Sequence, residues 1–180
     1  MRFNKLLPIL FLLALSIPLS VNAASKAEID ADVQGAMAVF YDLSPGNKEL
    51  ASRAAGVLIF PSVMKAGFFV GGDYGEGVLQ IGGKTVDYYS TAAISFGLQL
   101  GAQSRSEVIL FMDKDALDNF RMHDGWAAGL DGSVTVIDSG VAKGVDTETA
   151  QGAIIAYIFS GKGLMGGLSL EGSKFSKIYR

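Results

Sequence analysis

The sequence holds no cysteine and a single histidine. Most zinc sites are built from several Cys and His ligands, and disulfides and thiol chemistry need Cys, so most zinc sites and both kinds of sulfur chemistry are excluded. Proline is scarce as well, four in 180 residues, and the 23 glycines follow no G-X-Y period. A collagen-like chain is therefore ruled out. Charged residues make up only 18% against 49% hydrophobic, which is not the balance of a disordered chain.

The usual signatures of catalysis are missing too. The only His-containing acid–base pair is His123-Asp124. No G-x-S-x-G elbow accompanies it, so a helix-end histidine is expected there. Asp113, Asp115 and Asp118 have the spacing of a calcium loop but not its central Gly or terminal Glu, and Ala116-Leu117 lies between them. Helix capping accounts for them better. Gly71-Gly72-x-x-Gly75-x-Gly77 has the composition of a phosphate loop, yet no Lys-Ser/Thr and no helical pattern follow. No enzymatic activity, cofactor or metal is expected.

No acidic residue precedes Glu28, whereas Arg2 and Lys5 open the chain with positive charge. Residues 6–19 form an apolar run of 14, broken by Pro8 and Pro18. A membrane-spanning helix needs about 20 apolar residues. The run is too short, and Val21-Asn22-Ala23 supplies the small residues of a cleavage site. Residues 1–23 are expected to be a secretory signal cut after Ala23, sending the product to a periplasm or out of the cell. No Cys follows the run, so lipidation on cysteine is closed, and no transmembrane span is expected in the mature chain.

Residues 24–180 then read as one domain. Of 15 basic residues two lie in the leader, leaving 13 against 18 acids, a net of −5. That balance argues against nucleic acid as a partner. Residues 25–43 place Ile29, Val33, Met37 (with Ala36), Phe40 and Leu43 on one helical stripe. Ser44-Pro45-Gly46-Asn47 closes this amphipathic helix, and a short second helix is expected over residues 48–54.

From Gly56 the period changes to that of strands. Residues 57–60 form a strand stopped by Pro61. Strands at 67–74 and 77–81 are joined by a tight turn at Asp73-Tyr74-Gly75-Glu76-Gly77, and Gly82-Gly83 turns the chain into a strand at 84–89. Residues 94–102 alternate, with Ile94, Phe96, Leu98, Leu100 and Ala102 on the expected buried face. Residues 108–112 are apolar on both faces and predict a central strand. A mid-chain helix is expected over 113–123, capped by Asp113, with Ala116, Leu117, Phe120 and Met122 as its apolar surface. Further strands are expected at 133–137, 154–159 and 164–170.

Glycine inside strands weakens them unless the sheet bends sharply or another backbone comes close. Gly71, Gly72, Gly97, Gly101, Gly166 and Gly167 all fall in strand-like segments. The fold class expected is α+β and β-dominated: a strongly curved antiparallel sheet or partly closed barrel, with the N-terminal amphipathic helix and the mid-chain helix packed on it. A glycine-lined ligand surface is the alternative account of these glycines. Charge is polarised along the chain. Residues 107–148 carry nine acids and three bases, whereas residues 161–180 carry Lys162, Lys174, Lys177 and Arg180 against Glu171. The basic end is either a solvated tail or an anion-facing patch.

Several segments taken together resemble the SYLF domain family. Ala55-Gly56-Val57-Leu58-Ile59-Phe60-Pro61 with Lys65-Ala66-Gly67-Phe68 is similar to its opening signature, continued by Gly71-Gly72 and Gly75-Glu76-Gly77-Val78-Leu79. Gly97-Leu98-Gln99-Leu100-Gly101-Ala102-Gln103 resembles its central strand. Ser160-Gly161-Lys162-Gly163-Leu164, Gly166 and Leu168-Ser169-Leu170-Glu171-Gly172 resemble its closing signature. Asp124-Gly125-Trp126 and Asp131-Gly132-Ser133-Val134 resemble the secreted bacterial branch. The likeness runs over about residues 30–178 and implies a compact β-rich α+β domain that binds phospholipid.

Carried over by position, Lys65 and Lys162 are the basic residues within the shared signatures. Phe68 and Phe69 flank the first, and core packing is the competing role for Phe68. Lys174 and Lys177 add charge. These six are the candidate lipid-binding residues, and the expected partner is phospholipid or an anionic membrane surface. The N-terminal helix departs from the membrane-binding helix of eukaryotic relatives: residues 24–42 hold one Lys and four acids, so it is expected to pack on the sheet. Two other readings remain open: a cell-envelope structural or protein-interaction module, and a small outer-membrane β-barrel.

Overall fold

The structure, a computed structural model, describes residues 24–97, 103–137, 152–161, 163–165 and 168–179. In chain order its elements are α1 (Lys26–Leu43), α2 (Asn47–Arg53), β1 (Gly56–Ile81), β2 (Lys84–Gly97), β3 (Gln103–Phe111) and α3 (Lys114–Met122). β4 (Trp126–Ala127), β5 (Thr135–Ile137), β6 (Ile154–Ser160), β7 (Gly163–Leu164) and β8 (Lys174–Ile178) follow. The strands form one sheet in the order β4-β8-β2-β1-β3-β6-β5, with β7 added beside β6. All ladders are antiparallel except β5 with β6. The sheet is strongly curled and open, a half-barrel with helices packed on it, as the expected fold class had it.

Two-sided burial explains the centre of this sheet. Along β1, β3 and β6 alternate residues enter two different cores. Leu58, Phe60, Ile109, Phe111, Ala156 and Ile158 face inward. Val57, Ile59, Val108, Leu110, Ile155 and Tyr157 face outward, under Ile29, Val33, Met37 and Phe40 of α1. Residues 108–111 lie between β1 and β6, so the central strand predicted from their apolar run is observed. The helix expected from the 29-33-37-40 stripe is likewise α1. Ser25 caps it: its hydroxyl accepts from the Glu28 backbone N–H at 3.3 Å, and the Glu28 carboxylate accepts from the Ser25 N–H at 2.7 Å. At the other end the Asn47 side chain donates to the Phe40 carbonyl, 2.8 Å away, and so caps the chain where α1 gives way to α2.

Inside the curl, α3 inserts Leu117 and Phe120. Phe120 lies 4.8 Å from Phe111, 4.9 Å from Tyr89 and 5.6 Å from Trp126, ring centre to ring centre. The indole N–H of Trp126 donates to Asn119 Oδ1 at 3.0 Å, which satisfies the polar end of the largest buried side chain. As expected, Asp113 is the N-cap of α3, accepting from the Asp115 N–H. His123 Nδ1 lies 2.8 Å from the Asn119 carbonyl and is a helix-end residue. Met122 is 77% exposed, however, and contributes nothing to the core.

The expected turn at residues 73–77 does not exist. Those residues pair with Ala93–Tyr89 of β2 in the middle of a ladder. Pro61 does not stop a strand either. It sits in a bulge where β1 spends two residues, Pro61 and Ser62, against Ser106 alone, and its carbonyl accepts from the Ser106 hydroxyl at 2.8 Å. A proline in a bulge loses no ladder bond. β1 is thus one 26-residue strand that folds back on itself. Extended, 18 residues would span about 60 Å, yet Gly77 touches the backbone of Ile59.

Glycine permits that contact. A Cβ on Gly77 would overlap the Ile59 carbonyl oxygen, and one on Gly75 would lie 2.7 Å from the carbonyl oxygen of Ser62. These two glycines serve close backbone approach rather than a turn. The true turn is Gly82-Gly83, at φ 57° and 74°, joining β1 and β2 through the pair Ile81↔Lys84. The basic C-terminal end is not a solvated tail: as β8 it pairs with both β2 and β4.

Gly77→Ala is expected to destabilise the fold by roughly 3 kcal/mol, the upper end of overpacking costs. Gly72→Ala, whose new methyl would meet nothing nearer than 3.9 Å, should change stability by well under 1 kcal/mol. Urea unfolding of the two variants checks this, and equal effects would contradict the close-approach account.

Candidate functional site

Of the six sequence-derived site residues, Lys65, Lys174 and Lys177 have described side chains, the first on β1 and the other two on β8. Lys65 lies half-buried near the fold-back of β1, paired in register with Gln103. Phe68 and Phe69 belong to the same strand and Phe69 pairs with Gly97, but their side chains lie outside the described residues. Lys162 also lies outside them. Lys174 and Lys177 stand on β8, at the far side of β2.

Lys177 is engaged. Its ammonium is 2.5 Å from Asp87 Oδ1, while Arg121 reaches the other oxygen of the same carboxylate at 3.3 Å. Lys174 has no ion-pair partner among the described residues. Its stem packs over Gly125, whose φ of 82° and missing Cβ leave room for it.

Register places Lys174 in an exposed row. Lys174, Ala92 and Tyr74 are neighbours across β8, β2 and β1, and Gly72↔Ile94 is the next such pair along. All lie on the outer face, beyond the strand positions that α1 covers. Ile94 is 75% exposed and Tyr74 53%. Ile94 was expected to be buried by the alternation of residues 94–102. Its side is the outer one, where α1 packs over Tyr88 but not over Ile94. Residues 98–102 lie outside the described residues. Tyr74 donates its hydroxyl to Glu76 Oε1 at 2.9 Å.

Behind this surface, where β1 doubles back, sits a buried ionic cluster that the sequence did not announce. Arg105 on β3 donates to Asp73 at 2.7 Å and to Glu107 at 2.9 Å. Glu107 is 1% exposed, and its Oε2 has no hydrogen-bond partner among the described residues. Burial pushes the Glu107 carboxyl up from its ordinary value, against the opposing pull of Arg105. Arg105 and Glu107 share one face of β3, two residues apart, and the fold-back of β1 brings Asp73 to them. Tyr89 is pushed up to about 12, mainly by burial and then by the Asp87 charge. The described residues hold no group of three or more His, Cys, Asp or Glu able to bind a metal.

Residues 92–178 match the family model Ysc84, described as Las17-binding protein actin regulator. The match over residues 92–178 is consistent with a member of the SYLF domain family. The matched part begins in β2, at the exposed row, and runs through β8. The motifs at 55–61, 65–68 and 71–79 precede it. SYLF domains are a lipid-binding type, a binding rather than a catalytic family. A search of curated proteins returns no match. Among the described residues no helix is long and apolar enough to cross a membrane. The outer-membrane barrel reading is met by an open sheet with α1 on its outer face. A lipid-embedded barrel instead is closed and turns an apolar band outward on its strands.

The Glu107 carboxyl sets a pH dependence. Its folded pKa lies above the ordinary 4.5, so the folded state holds the proton more tightly than the unfolded one. Glu107 ionisation therefore costs stability above its folded pKa, and that cost is relieved as pH falls from there toward 4.5. Glu107→Gln removes the titrating group. In urea melts across this window, the stability of the parent relative to Glu107→Gln should rise as pH falls. A difference that does not change with pH would contradict a raised Glu107 pKa.

Proposed function

We propose that this chain is an exported, non-enzymatic SYLF module that holds anionic phospholipid surfaces by the end of its sheet. The observation that carries the reading is the uncovered outer-face row of Lys174, Ala92 and Tyr74 beside Ile94. Lys65 and the Phe68-Phe69 segment belong to the part of β1 that runs toward this row. The row combines exposed apolar side chains with one cation, Lys174, that has no carboxylate partner among the described residues. The acidic side chains of α1, including Glu28 and Asp32, turn an anionic leaflet away from the helix and leave the sheet end as the approach. Export to a periplasm or beyond, through a leader at residues 1–23, is part of the proposal.

Magnitudes support a shared role for charge and insertion. Each lysine near an anionic leaflet contributes about 1 kcal/mol, so Lys65 and Lys174 supply about 2 kcal/mol. Lys177, held by Asp87, adds little. Burying Ile94 contributes roughly 1.5–3 kcal/mol more. Together these give about 3.5–5 kcal/mol, an affinity of roughly a millimolar, set as much by Ile94 as by charge. The second reading, a protein-interaction module, is favoured by the family description, which names a protein partner.

Flotation of the exported protein with phosphatidylglycerol vesicles and with phosphatidylcholine vesicles, at low and high salt, separates the two. Anionic vesicles should carry it upward at low salt. Lys65→Glu with Lys174→Glu, or Ile94→Asp alone, should cut the floated fraction several-fold without changing the melting temperature by more than a few degrees. A protein that stays at the bottom in every mixture is not a lipid module of this kind.

A further inference from the structure

On the opposite side of α1 from the bulge at Pro61, a cleft of about 340 Å³ opens between α1, α2 and the β1–β2 turn. Its volume is at the low end of the roughly 300–1,000 Å³ range of small-molecule sites. Met37, Val57, Ala51 and Ala54 give it an apolar floor, and Lys48 is its single charged lining residue. Gly82 and Gly83 form one wall. Both have positive φ and a Cβ on either would meet nothing, so the wall bears no side chain for reasons of turn geometry.

Three polar side chains that line this cleft are Tyr41, Gln80 and Lys48. The Tyr41 hydroxyl, the Gln80 amide and the Lys48 ammonium make no side-chain hydrogen bond or ion pair among the described residues. Gln80 is set there by ordinary strand alternation along β1. Gln80 shares the outward side of Val78, beneath the helices.

We propose that this cleft binds one alkyl chain carrying an anionic head, with the chain over Met37 and Val57 and the head at Lys48. A volume of about 340 Å³ matches a single alkyl chain. The site is distinct from the sheet end, and either can fail while the other stands.

Calorimetric titration of the exported protein tests it with sodium dodecanoate and dodecyl phosphate, each below its micelle concentration, and with dodecyltrimethylammonium as the cationic control. The two anions should bind one per chain and the cation should not. A preference between the anions would distinguish a free fatty acid from a lysophospholipid as the natural source. Lys48 is exposed, so Lys48→Glu folds, and it should weaken dodecanoate about tenfold or more, the scale of one charge-assisted hydrogen bond. Ala51→Trp should fill the cleft and abolish the signal. No saturable binding of either anion, equal binding of the cation, or unchanged affinity in Lys48→Glu would each overturn the assignment.

Discussion

The contact between Gly77 and the backbone of Ile59 governs the architecture, because it lets one strand serve both arms of the half-barrel. The first part of β1 pairs with β3 and the second with β2. Folding between them brings Gly75 and Gly77 against Ile59–Val63 with no side chain in the way. The inner core then closes between the arms, with Phe60 stacked on Phe175 of β8 at 5.6 Å. The outer face is left for α1. Where α1 ends its cover, Tyr74 and Ile94 remain in the open.

The same fold-back accounts for the buried charge. Asp73 of β1 meets Arg105 and Glu107, two residues apart on β3, where β1 doubles back. Ion pairs buried this deeply contribute little net stability, since desolvation offsets attraction. Removing the cation is a different matter, because two carboxylates would then lose their shared partner. The cluster ties the second part of β1 to β3 through the Asp73–Arg105 pair.

Much of this was legible in the residues. The apolar stripe of α1, the Asp113 cap of α3, the Gly82-Gly83 hairpin and the two-sided run at 108–112 each have one strong physical reading, and each was found. The failures share a cause. Gly75 and Gly77 suit a turn and a close backbone approach equally well, and only the position of Ile59, 18 residues earlier, decides between them. Pro61 reads as a breaker unless a bulge absorbs it. β8 is five residues with two lysines, too short and too charged to show its pairing with β2. For the site, sequence supplied Lys174 and Lys65 but not Tyr74 or Ile94. It also could not foresee that Asp87 would engage Lys177.

The central claim is that the sheet end beyond α1 enters an anionic bilayer, and site-directed spin labelling addresses it most directly. The chain has no native cysteine, so a nitroxide on Ile94→Cys is a clean reporter, with Met122→Cys on α3 as the exposed control. With phosphatidylglycerol vesicles, the label at residue 94 should gain the oxygen accessibility of a bilayer interior while that at residue 122 keeps the value of water. Two labels that both stay aqueous, while the protein floats with the same vesicles, would place the contact elsewhere and contradict the account.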